Sequence, residues 1–136
     1  MLSTFYALSS KSMSLGDVVT LLNVSPVFLA LLAPFVRRVV AVDASAAMLR
    51  GARRVLAGEE NVELREGALE SLPLGDDEVD AATLVLALHY APEPSKALRE
   101  VRRALRPRGR VLVVDMTPHD REELRQQMGH VWLGFS

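Results

Sequence analysis

The 136-residue chain contains no cysteine. That excludes disulfides, thiolate zinc sites and a thiol nucleophile, and it leaves the redox compartment open. Net charge is almost absent as well, at -1, too little for a bulk electrostatic hold on nucleic acid or an anionic membrane. Charge is also scarce at one end: Lys11 and Asp17 are the only charged side chains in the first 35 residues. The uncharged run from Val18 to Val36 is long enough to be tested as a membrane span. Asn23, Pro26 and Pro34 interrupt it, however, and a second apolar run follows at once. A buried strand and helix is the better reading, with no signal peptide and a cytoplasmic location by default.

What is present is globular, with 49% hydrophobic and 24% charged residues in a length suited to one domain, 1–136. Two segments carry helical periodicity. Met48, Leu49, Ala52, Val55 and Leu56 form one apolar stripe behind the N-cap candidate Ser45. Ala97, Leu98, Val101, Ala104 and Leu105 form a second, opened by Pro94 and closed by Pro107-Arg108-Gly109. Their arginines are expected to face water. Strand-like runs occupy Asp17–Leu22, Arg37–Val42, Val62–Leu64, Asp80–Leu84 and Arg110–Val114. A helix is expected from Ser25-Pro26 and another from Pro118 to Met128. Alternating strands and helices predict an α/β fold, a Rossmann-like doubly wound, mostly parallel sheet of about five strands with helices on both faces.

One strand poses a functional question. The run Val39-Val40-Ala41-Val42 is built for burial and stops on Asp43. In an open parallel sheet, ligands bind beyond the carboxyl ends of the strands, and a carboxylate there can accept both hydroxyls of a ribose. The alternative is that Asp43 only caps the next helix, a task Ser45 can already perform. His89, His119 and His130 are too scattered in sequence for a metal-binding spacing, so no metal is expected.

The runs "VVAVDASAAML", "VELREGALESLPLGDDEVDAATLVLALHY" and "KALREVRRALRPRGRVLVVD", taken in order, resemble class I S-adenosylmethionine-dependent methyltransferases. The tail "DMTPHDREELRQQMGHVWLGFS" resembles methyltransferase type 11-like domains fused to winged-helix metalloregulators. The resemblance covers Phe35 to Ser136 and implies S-adenosylmethionine as cofactor and a small-molecule methyl acceptor. It also implies roles for individual residues. Asp43 matches the residue holding the ribose hydroxyls, and Ala44 and Met48 match positions beside the adenine. Gly67-Ala68-Leu69 matches the loop at the adenine edge, where Ala68 stands in the place of an acidic residue. Leu86 matches the methionine side, and His89-Tyr90 the acceptor mouth, with His89 a candidate base or orienting group.

The pattern breaks twice. The family's glycine-rich turn would fall at Thr20 to Pro26, where Leu22, Val24 and Pro26 occupy the glycine places. Residues 1–34 are therefore atypical, and a non-catalytic remnant or interaction module on the same scaffold is the rival reading. A nicotinamide oxidoreductase ranks below it, because Gly-x-Gly-x-x-Gly is missing. The family's last two strands are also expected to be lacking. That would leave Arg110–Val114 an exposed sheet edge through which a homodimer could form. With no winged helix present, no DNA binding is expected.

Overall fold

A computed structural model describes the backbone of residues 17–22 and 33–136, and side chains from residue 34 onward. The five strands found there are β1 (Asp17–Leu22), β2 (Arg38–Asp43), β3 (Val62–Glu66), β4 (Val79–Val85) and β5 (Leu105–Val114). The helices are α1 (Ala46–Val55), α2 (Pro94–Ala104) and α3 (Glu123–Met128), with 3₁₀ turns at Ala33–Phe35 and Leu88–Tyr90. The strands form one sheet in the order β3-β2-β1-β4-β5, and every neighbouring pair is parallel. The expected glycine-place residues Val24 and Pro26, and the helix expected from Ser25-Pro26, lie outside the described residues.

The long apolar run in β2 follows from two-sided burial. Val39 and Ala41 pack with Ala52 and Leu56 of the α1 side. Val40 and Val42 point the other way, into a cluster with Ala82 and Leu84 of β4 and Ala97, Val101 and Ala104 of α2. Each helix buries only the centre of its expected stripe: Leu49, Ala52 and Leu56 of one stripe and Ala97, Val101, Ala104 and Leu105 of the other are buried, whereas Met48, Val55 and Leu98 at the stripe margins are exposed. At the start of α1, the Ser45 side chain accepts the Met48 N–H at 3.3 Å.

Two boundaries differ from expectation. The strand expected at Arg110–Val114 begins at Leu105, directly after α2. Pro107-Arg108-Gly109 therefore lies inside the strand, where the register jumps between Val79↔Leu105 and Ala81↔Arg110. Arg108 adopts φ 67° at that irregularity, which the turn chemistry of the tripeptide accommodates. The helix expected from Pro118 is confined to Glu123–Met128. The preceding segment is tied elsewhere: the His119 N–H bonds Leu133 O at 3.0 Å, and His119 Nδ1 accepts the Arg121 N–H at 3.2 Å.

Not every arginine faces open water. Arg103 of α2 bonds Glu100, Asp76 and the carbonyls of Leu72 and Leu74. Arg65 bonds Glu63, Glu78 and the Pro73 carbonyl. These contacts, with the Leu72 N–H on Glu100 at 2.9 Å, pin the 67–75 loop beside the carboxyl end of β3. Burial alone would raise the Glu78 carboxyl, but Arg65, the Gly75 amide and Arg38 outweigh it and hold it at about 2. Among the described residues no helix is long and apolar enough to cross a membrane.

Candidate functional site

The strand order reverses at β1, with β2 on one side and β4 on the other. Open α/β sheets bind ligands beyond the carboxyl ends at such a reversal. There the structure holds a cleft of about 360 Å³ lined by Val42, Asp43, Ala44, Gly67, Leu69, Ala87 and Tyr90. That volume lies within the usual range for small-molecule sites, roughly 300–1,000 Å³. The walls come from the end of β2, the loop after β3 and the 3₁₀ turn after β4.

Asp43 both shapes the entry to α1 and reaches the cleft. Its Oδ1 accepts the Ser45 N–H at 2.7 Å, which fixes the turn into the helix. Its Oδ2 makes no hydrogen bond to the described residues. Burial pushes the Asp43 carboxyl up, and the Ser45 amide only partly offsets this. Among the described residues this oxygen is thus a partly desolvated acceptor without a donor, a state that hydroxyl donors from a ligand would relieve. Gly67 lies opposite, and its N–H bonds Asp43 O at 3.1 Å. A Cβ at Gly67 would meet Pro73 Cδ at 2.5 Å, so the loop has no room for a side chain there.

Of the residues singled out from sequence, Asp43, Ala44 and Leu69 line the cleft together. Met48 is half exposed on α1 and Ala68 is exposed in a turn closed by the Ser71 N–H on Ala68 O at 3.1 Å; neither is part of that lining. Leu86, also outside the lining, is 43% exposed. It takes φ 51° just beyond β4, a left-handed conformation that costs a leucine on the order of 1–2 kcal/mol. Backbone strain of this kind concentrates at functional sites.

His89 is buried, at 2% exposure. Its Nδ1 lies 2.7 Å from Asp115 Oδ1, and it is Tyr90, the next residue, that faces the cleft. Asp115 was not singled out from sequence. It stands just past β5 and gathers three donors: His89 Nδ1, the Met116 N–H at 2.8 Å and the Leu88 N–H at 2.9 Å. The signal was present, since "VLVVD" repeats the pattern of "VVAVD". His130 joins them, its ring centroid 4.3 Å from that of His89. Two histidines far apart in sequence are therefore neighbours in space, although among the described residues no group of three or more His, Cys, Asp or Glu is arranged to hold a metal.

Comparison with known proteins places the chain among methyltransferases. The chain is 40% identical over 79 residues to a demethylmenaquinone methyltransferase of Clavibacter sepedonicus, covering 58% of this chain and 32% of that protein. It is 40% identical over 84 residues to the uncharacterized methyltransferase YcgJ of Bacillus subtilis, covering 60% of this chain and 33% of that protein. The YcgJ crystal structure superposes with a TM-score of 0.76 at 30% identity, covering 89% of this chain and 56% of that one. The DhpI-SAM-HEP complex superposes with a TM-score of 0.65 at 34% identity, covering 83% and 52%. The chain thus spans about a third of the length of these curated relatives and just over half of these solved structures. The family described as "Methyltransferase domain" matches residues 23–113, taking in part of the segment that looked atypical. The DhpI structure is a complex with SAM, the cofactor S-adenosylmethionine, and the chain belongs to the methyltransferase-domain family.

Proposed function

We propose that the chain binds S-adenosylmethionine in the cleft at the ends of β2, β3 and β4 and directs its methyl group to a small-molecule acceptor. The observation that carries this reading is Asp43, which presents to an apolar cleft at the strand-order reversal a partly buried carboxylate oxygen that makes no hydrogen bond among the described residues. The residues present fit the group. Asp43 would accept the two ribose hydroxyls. Ala44, with Met48 at the rim, would flank the adenine. Leu69 and the backbone at Ala68 would meet its edge, and Leu86 would border the methionine portion. Bound there, the cofactor would supply an electrophilic methyl group. The protein's task is then to align the acceptor and exclude water, for which a dedicated base is optional. His89 could take part only through Nε2, because Nδ1 is committed to Asp115.

Self-association through β5 belongs to the same reading. β5 pairs on one side only, with β4, among the described residues. Val111, Leu112, Val113 and Val114 remain 40–55% exposed, an apolar edge of the sort that pairs with another chain. Size-exclusion chromatography with light scattering is expected to give a dimer mass, and a monodisperse monomer would remove this element of the reading.

Titration calorimetry with S-adenosylhomocysteine tests the main proposal. Micromolar binding that Asp43→Ala abolishes is the expected result. No heat at high protein concentration would favour a non-catalytic module on the same scaffold.

A further inference from the structure

The segment after α3 closes back onto the 3₁₀ turn that supplies Tyr90. The N–H groups of Val131 and Trp132 both bond His89 O, at 2.9 and 3.0 Å, and the Trp132 indole N–H bonds Ala91 O at 2.8 Å. Further on, the Phe135 N–H bonds Met116 O at 2.9 Å, and Phe135 packs against the core. Between these anchors the His130 ring lies against two others, with centroids 4.3 Å from His89 and 5.1 Å from Tyr90. His89 and Tyr90 are themselves 4.2 Å apart. Tyr90, the only one of the three that lines the cleft, is thus backed by a histidine pair.

Both ring nitrogens of His130 are buried and make no hydrogen bond. A neutral imidazole in that place carries one unsatisfied N–H. Protonation would add a second, together with a buried charge. The surroundings offer little compensation. His89 and His119 oppose a positive charge there. Asp115 would attract it, but its oxygens already accept three donors. Arg125 of α3 bonds Val131 O at 3.0 Å, but its charge is balanced by Glu122 at 3.0 Å. Burial is the main reason the His130 imidazole sits below the ordinary histidine value of 6.5.

We propose that His130 is a positioning residue for the Tyr90 wall of the cleft, and that His130–Trp132 is a latch held shut by the neutral imidazole and released when it is protonated. The consequence for ligand affinity rests on the cofactor reading above, whereas the latch itself does not.

The chain's single tryptophan, Trp132, is part of the latch, so its emission reports latch opening directly. Emission is to be followed from pH 8 to 4.5, with far-ultraviolet circular dichroism confirming that the fold persists. S-adenosylhomocysteine affinity is to be measured at the same pH values. The expected result is a one-proton shift in emission with a midpoint below 6.5, and at least a fivefold loss of affinity across it. In His130→Phe, which keeps a ring in the stack, and in His130→Gln, which does not, position 130 no longer titrates, and the emission step is expected to vanish. His119→Gln is expected to retain it. Asp43→Ala separates the two proposals: it removes ligand binding yet leaves the emission step in place. An emission spectrum flat across this range in the folded wild type, or an unchanged step in both His130 variants, would overturn the latch.

Discussion

Asp43 and Asp115 end the same kind of sequence. Each follows a run of four apolar residues, three of them valines, that forms a parallel strand, and each sits at the carboxyl edge of the same sheet. Their surroundings differ completely. Asp43 spends one oxygen on the turn it helps to make and leaves the other toward the cleft. Asp115 is committed at both oxygens and joins the end of β5 to the turn after β4. A carboxylate at a strand end is therefore a ligand group only if the neighbouring loops leave it without donors. Position alone does not decide.

The sharpest way to break this contrast is to remove each carboxylate in turn. Asp115→Ala leaves a buried imidazole N–H and two backbone N–H groups without their acceptor. The expected loss of stability is about 3 kcal/mol, read by urea denaturation. Asp43→Ala removes one turn hydrogen bond while the Ser45 side chain still caps α1, so the loss is expected to be about 1 kcal/mol or less. Ligand binding should invert the order. Two hydrogen bonds to a charged oxygen pair are worth roughly 3 kcal/mol or more, so Asp43→Ala should weaken S-adenosylhomocysteine binding at least about a hundredfold. Equal stability losses in the two variants would dissolve the distinction.

Acidity sharpens the comparison further. Burial raises the Asp43 carboxyl, so without ligand the protonated form is the one the fold favours. The stability this contributes is present at low pH and is lost as pH rises through the raised value. Ribose hydroxyls prefer the ionised form. Affinity should therefore fall about tenfold per pH unit once pH drops below that value, and Asp43→Asn should remove this acid limb. Calorimetry across pH on both proteins checks it, once the Trp132 step has been mapped separately. The smallest expected effect belongs to Ser45→Ala. It deletes a single exposed cap bond of 3.3 Å for about 0.5–1 kcal/mol, leaves Asp43 in place, and should leave affinity within about twofold by the same calorimetry.

Much of the architecture was legible because it depends on local patterns. The β2 run reads as doubly buried, and Val39 and Val40 do face opposite clusters. Ser45 and Pro94 mark the starts of their helices as expected. The failures have a common cause in contacts between distant segments. Pro107-Arg108-Gly109 reads as a helix stop, yet β4 pairs on either side of it and turns it into a strand irregularity. Pro118 reads as a helix start, yet Leu133 claims the His119 amide. The site divides in the same way. Asp43, Ala44 and Leu69 follow from one strand and the loop beside it. The Asp115–His89–His130 cluster joins three segments, and no spacing rule connects them. Asp115 could have been flagged by the argument applied to Asp43, but that argument would have assigned it the wrong task.

The most direct measurement is a calorimetric titration of S-adenosylhomocysteine into the wild-type chain and into Asp43→Ala at neutral pH, with both proteins verified as folded. A micromolar dissociation constant for the wild type and no detectable binding by the variant is the predicted outcome. Equal affinity in the two proteins would contradict the assignment of the β2 carboxylate to the cofactor's sugar.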